Sequence, residues 1–245
     1  MSATRLLKDS LLMIKSQERK LLTVFAPVYL LWKALEFVFL RSADVGGTSD
    51  GVGALAAAPY IASLAILSCN IVLGIALAVM WHRSVLNLED IRPRRAFFVG
   101  YLVQSLWLGL ILVLFLIVPI VAVSFLVVAG VSFSPIVIIV AFIVQWIAIR
   151  ISLVLPDAAT LQRGMTLRKS FDLTAPRNTE ILVAVAVMFA VQTCVELIGS
   201  PDQSQTVPTI VQYLIQIALF PISALIGLSV LTQLYKDEVL AEANA

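Results

Sequence analysis

The chain has 245 residues, 60% of them hydrophobic and 13% charged, with a net charge of +2 and a mean hydropathy of +1.00. Soluble domains carry about 25% charged and about 45–50% apolar residues, so this composition excludes an ordinary soluble domain. Repeated apolar runs of span length point to an all-α polytopic membrane protein rather than a barrel of short alternating strands, and the near-neutral balance gives no argument for nucleic acid.

Residues 1–20 carry Arg5, Lys8, Lys15, Arg19 and Lys20. Leu7, Leu11 and Ile14 share one helical face, flanked by Leu6 and Met13, while the basic residues gather on another. This pattern predicts an amphipathic helix lying on an anionic leaflet. The first apolar run is a full span with no small-x-small cleavage site before its end, which argues against a secretory signal peptide.

Residues 21–235 are expected to form one membrane domain of six spans, at 21–40, 59–80, 97–129, 135–155, 180–198 and 209–231, with 236–245 as a cytoplasmic tail. The third run is long enough for about 50 Å of helix against about 30 Å of hydrocarbon. Pro119 favours one kinked, tilted helix there, with a span plus a re-entrant segment left open. Charge sets the parity. Lys and Arg cluster in the N-terminus, in 82–96, in 150–178 and after the last span, and only Lys33 and Arg41 of the 17 fall elsewhere. Positive charge is enriched on cytoplasmic loops, so both termini are expected inside. Trp81, Trp146 and Tyr235 lie near the inner span ends, where amphipathic rings favour the headgroup level.

Within span one, Lys33 and Glu36 are three residues apart and share a face. Mutual neutralisation, snorkelling of Lys33, a substrate or ion pathway, and a subunit contact are all open to such a pair. The glycine-rich stretch 46–53 lacks the Lys-Ser/Thr of a phosphate loop and follows no strand, so it reads as a flexible outer loop. Cys69 and Cys194 sit in different spans and read as small packed hydrophobes. The single histidine, His82, follows Trp81 and reads as interfacial. No nucleophile, base and orienter converge, no ligand set suits a metal, and no cofactor is implied.

The stretch "IAIRISLVLPDAATLQRG" (147–164) places Arg150 in the inner part of span four, with Pro156 and Asp157 following. Pro156 lacks an N–H and should mark a kink or stop. Asp157 is two turns from Arg150, so the two can share a face as a clasp. Arg150 can also reach lipid phosphate or an anionic substrate. Leu167, Phe171 and Thr174 fall at helical spacing, predicting a short surface helix over about 166–175, ended by Pro176, with Asn178 as a cap for span five. Arg163, Arg168, Lys169 and Arg177 would form a cationic collar around it, drawing anionic headgroups with Arg150 as the deepest contact.

Three stretches, "ALAVMWHRSVL" (76–86), "RRAFFVGYL" (94–102) and "RISLVLPDAATLQRGMTLRKSFDLTAPRN" (150–178), occur in an order that resembles the YciC-like family of bacterial inner-membrane proteins and its glycerophosphodiester-phosphodiesterase membrane-domain relatives. The shared features are W-x-R after an early span, an R-x-S-L-x-L-P-x-A segment, and a short serine-led helix ending near an asparagine. The motifs cover about 76–180, and the span pattern covers the chain. Asp157 stands where a small residue is expected, and Pro176-Arg177 interrupts the usual ending. The resemblance implies a multi-pass protein of the bacterial inner membrane linked to membrane or envelope homeostasis. Together these features give a non-enzymatic membrane protein, or a subunit of a larger assembly, with anionic lipids as partners and no nucleic acid. A small transporter or channel using Lys33, Glu36 and Arg150 is the alternative.

Overall fold

The computed structural model describes residues 4–46, 58–86, 95–128, 133–160, 164–199 and 210–240, and among these there is no strand. The order is α1 (Arg5–Ser16), α2 (Ala26–Gly46), α3 (Ala58–Val85), α4 (Arg95–Val128), α5 (Phe133–Ile151), α6 (Val154–Thr160), α7 (Leu167–Leu173), α8 (Asn178–Gly199) and α9 (Ile210–Tyr235). Short helical turns at Glu18–Lys20 and Leu21–Phe25 lead into α2, and Lys236–Leu240 extends α9. The glycine-rich stretch 46–53 and Arg163 lie outside the described residues, apart from Gly46 at the end of α2.

Each expected span overlaps helix, but the first opens with the turn at Leu21–Phe25 and the fourth, 135–155, is broken at Ser152 and Leu153. Three stretches, Leu64–Val85, Arg95–Ile117 and Ile138–Thr160, are long and apolar enough to cross a membrane, and the pair Leu167–Leu173 and Ala175–Cys194, bent by 46°, brings the number to as many as four. The long third run is one continuous helix of 34 residues with Pro119 inside it. Its apolar residues sit on all sides, as in a helix able to cross a membrane. Leu106, Trp107, Val113 and Phe115 are all exposed.

The helices sort into two compact units, 16–78 and a larger one made of 1–15 and 79–245. In the larger unit the buried residues crowd the end of α3, the first part of α4, the end of α5, most of α6, the start of α8 and the end of α9. Antiparallel neighbours bring these ends together. The core includes Leu6, Leu153, Val154, Ile181, Val185, Val230 and Leu234, with Leu167 packed against it. Small residues allow the closest approach: a Cβ on Gly227 of α9 would lie 2.9 Å from Met188 Cε of α8. Gly74 of α3, by contrast, has open space around it.

Several expectations shift. In α1 the seam is Leu6, Ser10 and Met13, which are buried, while Leu11 faces outward. The face is centred on Leu6, which is taken into the core of the larger unit, and the expected Leu7 and Ile14 pack against that core at its edge. Trp81 and Tyr235 are fully buried inside the protein, because the helix ends that carry them converge on that core. Cys69 and Cys194 are unpaired as expected, but both lie on outward faces.

Candidate functional site

The site is built around the break between α5 and α6. An α-helix running into Pro156 would lose that residue's N–H bond, and the ring would press on the carbonyl four residues earlier. The chain breaks before this happens. Ser152 N–H donates to Ile149 O (3.3 Å) and Leu155 N–H to Ser152 O (2.9 Å), both tightened turns. Pro156 then sits in the first turn of α6, where its missing N–H removes nothing from the helix.

The break leaves backbone groups without helical partners, and α7 supplies them. Ser170 Oγ donates to Arg150 O at 2.6 Å and accepts from Leu153 N–H at 3.2 Å, so one hydroxyl bridges the interrupted ladder. Thr166 caps α7, its hydroxyl accepting from Lys169 N–H at 3.2 Å with an extended backbone. The expected helix at about 166–175 is therefore present, ended by a 3-10 turn at Ala175–Arg177 that contains Pro176.

Arg150 is buried by this splice. Its Nη2 donates to Phe171 O at 2.8 Å, and its Nε donates to Thr174 Oγ1 at 3.3 Å. The guanidinium lies 3.5 Å from the centre of the Phe171 ring and 5.2 Å from that of Trp146. A planar, weakly hydrated cation suits such a stacked position, which an ammonium would not. Arg150 thus binds α7. The clasp between Arg150 and Asp157 does not form, because the helix is interrupted between them and the shared face is lost.

Asp157 holds other elements. Its Oδ2 accepts from Met165 N–H at 3.1 Å and its Oδ1 from the Tyr235 hydroxyl at 3.2 Å. These bonds tie α6 to the chain before α7 and to the end of α9. Arg83 closes the other side. It is buried, donates to Ala159 O at 3.0 Å and stacks 3.7 Å over Phe97. A cation on the last carbonyls of α6 complements the negative end of that helix.

Arg177 belongs to an ion-pair cluster. It meets Asp237 at 2.9 Å, Glu180 at 3.5 Å and Glu238. Asn178 is not a side-chain cap for α8, since its Oδ1 accepts from Trp146 Nε1 at 2.9 Å. Arg168, by contrast, is 94% exposed, and its contact with Asp172, itself 70% exposed, is 4.0 Å long. Lys169 is also exposed.

His82 is buried. Thr232 Oγ1 donates to Leu228 O at 2.6 Å, which leaves the hydroxyl to accept from His82 Nδ1 at 2.7 Å. The neutral ring then presents Nε2 as an acceptor, 3.4 Å from the Tyr101 hydroxyl. The histidine joins α3, α4 and α9.

In the other unit, Lys33 Nζ meets Glu36 Oε2 at 2.5 Å. Asn70 Nδ2 donates to Glu36 Oε1 at 3.4 Å, and Asn70 Oδ1 accepts from Trp32 Nε1 at 2.7 Å. The pair is therefore stitched into a network that joins α2 to α3.

Of Ser170, Thr174, Arg83 and Thr232, the sequence marks Thr174 as part of the short helix and Arg83 as the arginine of W-x-R, but it foresees none of their bonding roles. A signal existed for the first two, a hydroxyl pair four residues apart on a short helix. Nothing local marks the partners of the other two, which are 76 and 150 residues away. Among the described residues no group of three His, Cys, Asp or Glu could hold a metal.

These features define the class, an all-helical protein with at least three helices able to cross a membrane and a polar lock buried where their ends meet. No protein-family model, curated protein or solved structure matches the chain.

Proposed function

We propose that the protein is a six-span, non-enzymatic component of the bacterial inner membrane, with both termini cytoplasmic, that serves membrane or envelope homeostasis. It does so by engaging anionic lipid on its cytoplasmic side, alone or as a subunit of a larger assembly. The observation that carries the reading is the shared seat of α1 and α7. Leu6 of α1 lies in the same buried cluster against which Leu167 of α7 packs. On α1 this leaves Leu11 and Leu12 exposed, and on α7 it leaves Arg168, Lys169 and Phe171 exposed. Apolar edges beside basic side chains are what an interfacial helix presents to an anionic leaflet. The collar then consists of Arg5, Lys8, Lys15, Arg168 and Lys169. Arg150 and Arg177 hold the platform rather than the lipid.

The positive-inside charge pattern supports the orientation, and the resemblance to the YciC-like family supports the location. The Lys33–Glu36 pair, closed by Asn70, favours a packing role over a transport path. Native mass spectrometry of the full chain in mild detergent with phosphatidylglycerol tests the reading. Each basic residue near an anionic surface contributes about 1 kcal/mol at low salt. Neutralising Arg168 and Lys169 together should therefore lower retained phosphatidylglycerol, and added salt should lower it further. Unchanged retention in a folded variant would remove the lipid role.

A further inference from the structure

A cleft of about 720 Å³ lies between the first turns of α4 and the α6 segment, with Arg95, Ala96, Val99, Val103, Asp157 and Ala158 among its walls. That volume is in the range of small-molecule sites. The cleft exists because the residues facing it are small or slender. Gly100 is among them: a Cβ there would stand 3.9 Å from Ala158 O, so a longer side chain would enter the cleft.

Its two charges are both incompletely answered. Asp157 is buried, and its carboxylate accepts one N–H and one O–H bond. A carboxylate offers about four acceptor positions, and buried charges are ordinarily paired. Among the described residues, no cation pairs with Asp157 and no carboxylate pairs with Arg95. One cleft therefore presents a cation and an anion that do not meet each other, along a mostly apolar wall. The complement is a zwitterion that carries a hydrocarbon chain.

We propose that this cleft seats one amino-phospholipid, with its phosphate on Arg95, its primary ammonium on Asp157 and the start of an acyl chain along Val99 and Val103. From Arg95 to Val103 the helix rises about 12 Å, room for a headgroup contact at one end and methylenes at the other. A primary ammonium donates hydrogen bonds to a carboxylate, whereas a quaternary one cannot. Phosphatidylglycerol has no cation to offer Asp157. The inference shares the membrane placement proposed above but not the collar, whose contacts are with anionic headgroups.

The full chain is delipidated in mild detergent and offered equal amounts of phosphatidylethanolamine, phosphatidylglycerol and phosphatidylcholine, and bound lipids are counted by native mass spectrometry. The wild type should retain one phosphatidylethanolamine with about tenfold preference, the size of one charge-assisted contact. Arg95→Gln and Asp157→Asn should each reduce that adduct about tenfold, and Gly100→Leu should exclude it. Arg168→Gln with Lys169→Gln should lower phosphatidylglycerol and leave this adduct in place. Equal retention of the three lipids by the wild type overturns the proposal, as does an adduct that survives Arg95→Gln. Asp157 is buried and Gly100 faces Ala158 O, and their variants can fail to fold. The wild-type competition and exposed Arg95 then decide the outcome.

Discussion

Ser170 has no charge and is fully buried, yet one hydroxyl serves both ends of the break between α5 and α6. Ser170→Ala removes an acceptor from the buried Leu153 N–H and a donor from Arg150 O. An unsatisfied buried backbone group costs about 1–3 kcal/mol, so the variant should melt clearly below the wild type in the same detergent, and an unchanged midpoint would show that the splice is dispensable. Arg150→Lys keeps the charge and loses the stack on Phe171 and the fork that reaches Thr174 and Phe171 O. It should destabilise nearly as much as Arg150→Met, since geometry rather than charge fixes that position. Near-complete rescue by lysine would contradict this. The Lys33–Glu36 pair makes the opposite prediction. Either single neutralisation leaves one charge in a poor solvent, while Lys33→Met with Glu36→Leu leaves none. The double variant should accumulate in membranes better than the worse single, with a coupling of about 0.5–3 kcal/mol. Additive losses would point to separate roles. Lys33 and Glu36 could be paired from the sequence because one unbroken helix carries both. Arg150 and Asp157 could not, because the break at Ser152 turns their faces apart.

At the level of elements, α8 and α9 depend on Gly227 for their approach. The neighbour that a Cβ would meet is the tip of Met188, a flexible side chain that can give way. Gly227→Ala should therefore change stability by less than about 1 kcal/mol. Gly227→Leu should cost about 1–3 kcal/mol, because overpacking there forces the helices apart. Thermal unfolding of the two variants side by side checks the difference, and equal losses would mean that Met188 cannot move. The short helix α7 shows what spacing and turn chemistry can reveal. Thr166 as its cap, Leu167 facing the core and Pro176 in the turn after its end are all local features. Its partner, the interrupted end of α5, is not local, so its role as a splice is absent from the pattern that predicts the helix.

For the whole molecule, the distribution of Lys and Arg implies a single orientation. Cysteines placed at Ser49 and Ser204, in a background lacking Cys69 and Cys194, should react with an impermeant thiol reagent from the outside. Arg168→Cys should react only after the membrane is opened, and the reverse pattern would invert the topology. Arg168 serves as the reporter because it is exposed, whereas Ser170 is buried.

The sequence by itself determined the helical class, the positions of the helices and the short helix after Arg150. These depend on hydropathy, on periodicity and on caps and prolines, all of which act within a few residues. Tertiary structure alone decided which polar groups face one another. Buried polar groups must find partners wherever the chain brings them. That need sends Arg150 to Thr174 and Phe171 O, Asp157 to Tyr235, Arg83 to Ala159 and His82 to Thr232. Such pairings join residues up to 150 positions apart, a separation at which no pattern along the chain carries the information.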